Sequence, residues 1–367
     1  MSTTRALFIM LGASFFMLAV ALALSAAGGQ ESLAADGIIY VDADATALGN
    51  GTSWEDAYTT LQPALDGAVT GDQIWVAVGI YTPTHEFSPG DPRSATFQLK
   101  NGVALYGGFD PSVGDVDWED RDWVNNVTIL SGELGDPGNA DNSYHVFYHP
   151  SASALDSTAV LDGFKITGGN ASGGSQHNWG GGMHNRDSSP TVANCTFAGN
   201  SATQYGGGMF NFFSCSPAVT NCTFSDNSAY RGGGMYSHVS SPAVTNCTFS
   251  GNSAGVDGGG MYNDNSSPQL TNCTFSGNST SGSGGAIHNW YSSLAVTNSI
   301  LWGDSPDEIS NSSSGSMVTY SDVQGGSDGT GNIDEEPLFV DPGIGDYHLS
   351  PGSPCIDTGT NGAPNLP

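Results

Sequence analysis

NCTFSGNSA, residues 246–254, recurs with small changes at 194–202 (NCTFAGNSA), 221–229 (NCTFSDNSA) and 272–280 (NCTFSGNST). Each copy follows a glycine run that ends in methionine, and these methionines are spaced by 26 residues: Met183, Met209, Met235 and Met261. A fixed period of about 20–50 residues is typical of solenoids, in which each repeat packs against its neighbours. We therefore expect successive copies to stack in register.

Within each copy, Cys and Phe alternate with Asn and Thr, and a period of two residues indicates a β-strand. Gly-Asn-Ser and Ser-Ser-Pro groups supply the corners. In-register stacking would place the phenylalanines and cysteines inside. It would also align Asn200, Asn227, Asn252 and Asn278 in a column whose side-chain amides can exchange hydrogen bonds along the stack. The prediction is an all-β, right-handed parallel β-helix (a solenoid), because long rungs that tolerate insertions differ from the hexapeptide rungs of left-handed coils.

The distribution of the repeats divides the chain into four regions. Residues 1–27 resemble a secretory signal, with cleavage as late as residue 35, and an uncleaved membrane anchor is the alternative. An N-terminal cap and irregular rungs occupy 36–160, regular rungs 161–304, and C-terminal rungs with a cap 305–367. The cap contains a short predicted helix between Ser53 and Ala68, where apolar residues have helical spacing and Pro63 should kink or break it.

The charge of the chain limits its partners. Its formal net charge is −29, with only seven Lys and Arg residues in 367. Such a polyanion repels nucleic acid and anionic membrane surfaces, and it repels acidic polysaccharides unless a cation bridges them. We expect a secreted or cell-surface monomer that does not insert into a membrane once its signal is cleaved.

Three stretches carry a resemblance to a known family. They are YVDADATALGNGTSWEDAY from Tyr40, YGGF with DRDW from Tyr106 and Asp120, and the tail that includes NSILWGD from Asn298 and GDYHLSPGSPCIDTG from Gly345. Together they resemble the choice-of-anchor Q domain of secreted bacterial proteins, which implies a pectin-lyase-like β-helix. The Phe-x-x-Asn motifs and GGAI at Gly284 also resemble the repeats of chlamydial polymorphic outer membrane proteins. Both resemblances imply a fold more than a function.

One column of the repeat is aromatic and suggests glycan contact. The residue after each methionine, or after Ile287, is aromatic or histidine: His184, Phe210, Tyr236, Tyr262 and His288. If these side chains point outward, they form a ribbon suited to stacking on sugar rings. The alternative is a self-stacking ladder that stabilises the coil, and the neighbouring Trp290 and Tyr291 have the same two interpretations.

Two pairs of charged residues fall on adjacent rungs. His238 and Asp264, three residues after their methionines, could form an oriented general base, or a surface pair with no function. Arg231 and Asp257, four residues before the next methionine, are expected to form an exposed salt bridge. No acidic pair recurs in the repeats, so no pair of catalytic carboxylates is visible.

The sequence offers no defined metal site. Asp42, Asp44 and Asn50, and further along Asp328, Asp334, Glu335 and Glu336, crowd acidic loops that could hold Ca²⁺, without the spacing of a known calcium loop. A straight inward column of cysteines does not supply the tetrahedral ligands of zinc. We expect the column cysteines to be free buried thiols. Apart from the Ca²⁺ that the acidic loops could hold, we expect no cofactor.

These observations lead to three candidate functions. The first is a non-catalytic extracytoplasmic protein that uses its long side for adhesion or glycan contact. The second is a polysaccharide lyase or glycoside hydrolase on the same scaffold, which would need a basic residue beside clustered carboxylates. The third is a purely structural surface or matrix protein.

Overall fold

The computed structural model describes residues 37–46, 49–135, 138 and 140–362. From Ile38 onward the chain winds into a coil of parallel strands, and each turn of the coil is called a rung. The predicted signal, and the membrane anchor that was its alternative, lie outside the described residues. Within them, no helix is long and apolar enough to cross a membrane.

Two long sheets contain the strands on either side of the NCT corner. The strand that ends just before its Asn belongs to sheet 1, and the strand that begins at its Thr belongs to sheet 2. Sheet 1 has ten strands, stacked in chain order: Ile38–Val41, Gln73–Ala77, Ala104–Phe109, Val160–Asp162, Thr191–Ala193, Ala218–Thr220, Ala243–Thr245, Gln269–Thr271, Ser293–Thr297 and Gly315–Thr319. Sheet 2 has nine: Gly79–Tyr81, Thr128–Ser131, Phe164–Thr167, Thr196–Ala198, Thr223–Ser225, Thr248–Ser250, Thr274–Ser276, Ile300–Trp302 and Asp322–Val323.

Two shorter sheets complete each rung. Sheet 3 has five strands: Asn170–Ala171, Ser201–Ala202, Ser228–Arg231, Ser253–Asp257 and Ser279–Thr280. Sheet 4 has seven strands, which contain the methionines: Phe147–His149, Met183–Arg186, Met209–Phe212, Met235–His238, Met261–Asp264, Ile287–Trp290 and Ile309–Ser312. In the part of the chain that the structure describes, 3₁₀ turns lie outside the sheets at Pro92–Ser94, Trp118–Asp120, Ser175–Asn178 and Pro342–Ile344.

The predicted inward columns are present. The rings of Phe197 and Phe224 stack with centroids 4.9 Å apart, and the next two intervals, to Phe249 and Phe275, are 4.6 Å each. The irregular rung before them aligns as expected, since Ile166 pairs with Phe197. After the last repeat, Leu301 pairs with Phe275. The interior is therefore one continuous apolar core along the coil.

The six cysteines are free thiols in the structure, and this agrees with the expectation for the four column cysteines. The four column cysteines are buried beside the phenylalanines, and burial raises the pKa of the Cys273 thiol to about 12. The Cys273 thiol is consequently protonated, and the four buried cysteines pack as small apolar side chains. Outside the column, Cys215 is buried in a corner, and the Cys355 thiol donates a hydrogen bond to Asp322 Oδ2 at 3.0 Å.

In the structure, the four asparagines of the predicted ladder are fully buried. Each Nδ2 donates to the Oδ1 of the next asparagine, at 3.1 Å from Asn200 to Asn227, 2.9 Å to Asn252 and 2.8 Å to Asn278. The same Nδ2 atoms also donate to the backbone carbonyl of the preceding rung, for example from Asn252 to Phe224 at 2.8 Å. The ladder thus ties neighbouring rungs together through both side chain and backbone.

The asparagine that begins each NCT segment has a different role. Asn194, Asn221, Asn246 and Asn272 turn the chain from sheet 1 to sheet 2 with φ between 51° and 54°. Asparagine is among the few residues that adopt this left-handed conformation readily. The backbone corner therefore explains why this position is asparagine in every copy.

A second amide ladder, which the sequence pattern did not reveal, runs two residues after the methionines. Asn185 donates to Asn211 at 3.0 Å, and Asn263 donates through Asn289 to Asn311 at 3.0 and 2.9 Å. Ser237 lies between Asn211 and Asn263 in this column, and its side chain is too short to bridge them. Asn211 Nδ2, Ser237 Oγ and Asn263 Oδ1 are buried without a hydrogen-bond partner in the described structure.

The N-terminal cap differs from the sequence expectation. The predicted helix between Ser53 and Ala68 is shorter, because the structure forms a single helix, α1, at Leu61–Gly67. Ser53 Oγ accepts from Asp56 N at 3.1 Å, but this turn does not continue into a helix. Pro63 lies in the first turn of α1, where its missing N–H has no intrahelical partner to lose, so it does not kink the helix. At the other end, Phe339–Asp341 and Asp346–Leu349 form an antiparallel hairpin.

The first ladder ends on two carboxyl groups. Asp304 takes the next position, and its Oδ1 accepts from Asn278 Nδ2 at 2.7 Å, while Glu308 Oε1 accepts from Asp304 N at 3.1 Å. Burial and the adjacent Glu308 raise the pKa of Asp304 well above its usual value, and burial also raises the pKa of Glu308. We infer that the pair keeps a proton, which Asp304 holds as a neutral acid in the place of an amide.

Asn252→Ala should destabilise the coil by at least about 2 kcal/mol, because it leaves buried amide and carbonyl groups of two neighbouring rungs without partners. Urea unfolding followed by circular dichroism measures this, with Thr248→Ala on the outer face of the same rung as the control. Equal unfolding midpoints for wild type and Asn252→Ala would contradict a role of the ladder in stability.

Ser237→Asn should stabilise the coil by roughly 1–3 kcal/mol, because the new amide would join Asn211 to Asn263 and complete the second ladder. The matched control is Ser237→Ala, which removes a hydroxyl without a partner and should change stability little. A lower unfolding midpoint for Ser237→Asn than for Ser237→Ala would show that the site does not accept an amide.

Asp304→Asn should make stability less dependent on pH. Since the folded-state pKa of Asp304 is raised, its favourable contribution is complete below about pH 4 and is lost as pH rises through that folded-state pKa. The amide keeps its hydrogen bonds at every pH. The variant should therefore gain stability relative to wild type between pH 5 and pH 9 on urea titration, and a difference that is constant with pH would contradict this assignment.

Candidate functional site

The aromatic column after the methionines is buried. His184, Phe210, Tyr236, Tyr262 and His288 face away from the central core, because the adjacent methionines face into it. Their exposed fractions nevertheless lie between 1% and 5%. The prediction of an exposed ribbon is therefore wrong for these five residues, and the alternative, a self-stacking ladder, describes what the structure contains.

The buried aromatic ladder is well ordered along the coil. The ring of Tyr236 stacks on Tyr262 at 4.9 Å with 4° between the planes, and Tyr262 stacks on His288 at the same distance. Burial lowers the pKa of His184 and His288, so both rings are neutral at pH 7. Uncharged stacked rings are suited to packing, and they offer no face to a ligand.

A second layer covers this ladder. It consists of the residues four positions before each methionine, and in it Trp179 lies 5.4 Å from Phe210 and Tyr205 lies 4.6 Å from Tyr236, measured between ring centroids. Gly232, with φ of +65°, forms the turn that folds this layer back, and a Cβ there would lie 2.5 Å from Met235 O. The glycine runs thus decide which aromatic column is buried.

The predicted Arg231–Asp257 pair closes the same layer. The guanidinium lies 3.5 Å from the carboxylate and 5.5 Å from the centre of the Tyr262 ring. Asp257 Oδ1 also accepts from the Ser283 backbone N–H at 3.2 Å. The pair is part of the cover over the aromatic ladder.

Three exposed aromatic residues, Phe213, Trp290 and Tyr291, lie at the ends of the sheet 4 strands and at the corners that follow. We call this surface the outer stripe; it comprises Arg186, Phe212, Phe213, His238, Asp264, Trp290 and Tyr291. Phe213, Trp290 and Tyr291 are 39%, 42% and 57% exposed. The register of sheet 4 puts the Phe212 and Trp290 rungs three intervals apart, which corresponds to about 14 Å at the usual strand spacing. Two aromatic platforms therefore lie on one side of the coil.

The sequence pattern named His238, Asp264, Trp290 and Tyr291 of the outer stripe, but it did not name Phe213. Phe213 is a corner residue with φ of 54°, in a column that also contains Asp187, Val239, Asn265 and Tyr291. A bulky aromatic side chain in the left-handed region is unusual. The inserted residue between Met209 and Cys222 marks this corner in the sequence and could have drawn attention to it.

A polar pair lies between the two platforms. His238 Nδ1 is 2.9 Å from Asp264 Oδ2, as the sequence predicted for adjacent rungs, and the Tyr236 hydroxyl donates to the same oxygen at 3.2 Å. Burial alone would raise the pKa of Asp264, but hydrogen bonds from His238, Asn265 and Tyr236 lower it. An ionised Asp264 accepts a hydrogen bond from His238 Nδ1, and in the neutral tautomer that makes this bond Nε2 is an acceptor. Such an imidazole can bind a hydroxyl group or act as a general base.

Four of the basic residues that the structure describes, Arg93, Lys100, Arg121 and Arg186, make other contacts. Arg93 and Lys100 donate mainly to backbone carbonyls, and Arg121 pairs with Asp162 at 2.5 Å. Arg186 lies 5.4 Å over the Phe212 ring. The arrangement that the lyase hypothesis requires is not formed by these residues.

The loops that could hold Ca²⁺ use their side chains within the loops. Asp42 Oδ1 accepts from Asp44 N at 2.9 Å, and Asn50 Oδ1 accepts from Thr52 N at 3.1 Å. Asp334 Oδ1 accepts from Gly325 N at 3.1 Å. Among the described residues, no group of three or more His, Cys, Asp and Glu side chains is arranged to hold a metal ion.

Comparison with known proteins supports the fold. Residues 141–301 match the family described as right handed beta helix region. The crystal structure of pectate lyase Pel9A is similar with a TM-score of 0.54 at 14% identity, over 90% of this chain and 93% of that one. A deglycosylated pectin methylesterase from Aspergillus niger aligns with a TM-score of 0.37 at 15% identity, over 77% and 86% of the two chains. No curated protein sequence matches. The predicted all-β, right-handed parallel β-helix is thus confirmed.

Proposed function

We propose that this chain is a non-catalytic extracytoplasmic protein that contacts neutral glycans through the outer stripe. The observation that carries the proposal is the pair of exposed aromatic platforms, Phe212 with Phe213 and Trp290 with Tyr291, on one side of the coil. The equivalent corners in the intervening rungs are Val239 and Asn265, so the coil itself does not require aromatic residues there. Rings that a fold does not need to expose are typical of binding surfaces.

The polar pair suits the same role. Sugar rings offer apolar faces for stacking and hydroxyl groups for hydrogen bonds. His238 Nε2 and the Asp264 carboxylate lie between the platforms and could accept hydrogen bonds from such hydroxyls. The net charge of −29 disfavours acidic polysaccharides, so a neutral glycan lying along the coil is the ligand class that we propose.

The two other functions remain alternatives with distinct requirements. A lyase or glycoside hydrolase would use His238 and Asp264 as an oriented base, and would convert the glycan that it binds. A purely structural surface or matrix protein would bind no glycan through the outer stripe. Extracytoplasmic location follows in this proposal from the signal-like sequence of residues 1–27.

The combined substitution Phe213→Asn, Trp290→Ser and Tyr291→Asn should weaken glycan binding about tenfold or more, because each lost ring stack contributes roughly 1 kcal/mol. The replacements are residues that the same columns contain in other rungs, so the fold should tolerate them. Affinity electrophoresis in gels with a neutral β-glucan or galactan, and with polygalacturonate for comparison, measures the retention.

Val239→Asn is the matched control, because Val239 occupies the same corner column and is exposed but not aromatic. Its retention should equal that of wild type. Absence of retention by wild type on every neutral glycan, or equal losses in the control, would contradict the proposal. New reducing ends or unsaturated products that disappear with Asp264→Asn would establish the enzymatic alternative instead.

A further inference from the structure

The two ends of the coil are finished differently. At the N-terminal end, the first strand of sheet 1 is covered, since Tyr40 N donates to Gly51 O and Tyr58 N donates to Tyr40 O, both at 2.9 Å. At the C-terminal end, sheet 4 stops at Ile309–Ser312, and no strand of the described residues pairs with its outer edge. This strand is therefore an unpaired edge of a parallel sheet.

The backbone groups on that edge can be assigned. Glu308 O and Ser312 O accept from Ile287 N and Tyr291 N in the preceding rung. Since successive residues of a strand turn their N–H and C=O to opposite sides, those of Ile309 and Asn311 face outward. They offer a new parallel strand the same hydrogen bonds that join neighbouring strands elsewhere in sheet 4.

A cavity of about 520 Å³ opens beside this edge. Ile309 and Asn311 line one side of it, the loop from Gln324 to Ser327 lines the other, and Asp304, Asp307 and Glu308 are also part of its wall. This volume lies within the usual range for ligand sites, about 300–1,000 Å³. An added strand could thus place a side chain in a preformed cavity.

The carboxyl groups in that wall lack a cation. Glu308 is buried, and its Oε2 has no hydrogen-bond partner within the described structure, while the side chain of Asp307 is exposed at the mouth. Every Lys and Arg of the chain lies at or before Arg231, so none follows in the sequence near this end. A buried carboxyl oxygen without a partner is costly, and a cationic side chain would satisfy it.

We propose that the open C-terminal end of the coil binds an extended peptide segment of a partner protein. The segment adds as the next parallel strand of sheet 4, on Ile309 and Asn311, and directs a Lys or Arg side chain toward Asp307 and Glu308. Strand addition of this kind draws affinity from main-chain hydrogen bonds and specificity from alternate side chains.

A second copy of this chain fits the site less well. Its own C-terminal end would bring carboxylates against Asp307 and Glu308, and like charges at close range disfavour association. Its N-terminal end does not offer a free edge on the first strand of sheet 1. The charge of the site therefore favours a basic partner.

The probe is a synthetic peptide of alternating Val and Thr with one central Lys, titrated into the full chain by isothermal calorimetry. Its matched control has norleucine in place of Lys. The Lys peptide should bind at least tenfold more tightly. Glu308→Gln should reduce the difference in affinity between the two peptides, and so should Asp307→Asn at the exposed mouth of the cavity. Urea unfolding verifies that each variant is folded.

N-methylation of the peptide tests strand pairing directly. Methyl groups on the alternate peptide amides that face Ile309 and Asn311 should abolish binding. Methyl groups on the intervening amides, which point away from the edge, should leave binding intact. The proposal is overturned by no binding of the Lys peptide, by equal binding of the norleucine peptide, or by equal effects of the two methylation registers. Self-association in sedimentation velocity that excludes the peptide, or Ca²⁺ binding without peptide binding, would assign the site to another occupant.

Discussion

The amide of each ladder asparagine is buried where water does not reach it, so its hydrogen bonds must come from the rungs on either side. Asn227, for example, donates to Asn252 Oδ1 and to the carbonyl of Phe197, while its own Oδ1 accepts from Asn200. A shift of one residue between rungs would break these contacts and turn the phenylalanines outward. In-register stacking is therefore the constraint on which the interior and the outer surfaces both depend.

The same constraint explains how the coil tolerates change. The residue added near Phe213 and the residue removed after Asn227 are both accommodated outside the sheet pairings that hold Met209 against Met235 and Phe224 against Phe249. Corners can therefore vary while the core cannot. The aromatic residues of the outer stripe lie at such corners and strand ends, where a side chain is free to serve a ligand, and the open edge at Ile309 marks where the repeated pairing ends.

The interior could be predicted from the sequence because the 26-residue period aligns identical residues, and alternation assigns Cys195 and Phe197 to the inside. Whether an outward column is exposed depends instead on what folds over it. Tyr236 and Tyr262 are buried by a layer that the glycine turns bring back across them, and the repeat pattern does not contain that information. The second ladder escaped notice because Ser237 interrupts it. The helix at Leu61–Gly67 is shorter than its apolar pattern because local turns compete at Ser53.

Hydrogen exchange of the asparagine side-chain amides tests the in-register stack most directly. In protein with isotope-labelled asparagine, NMR follows each amide group after transfer to deuterated water. The account predicts that Asn227, Asn252 and Asn278 exchange only when the coil opens, far more slowly than the exposed amide of Asn265. Equally fast exchange of the ladder amides and Asn265 would contradict a buried, hydrogen-bonded stack.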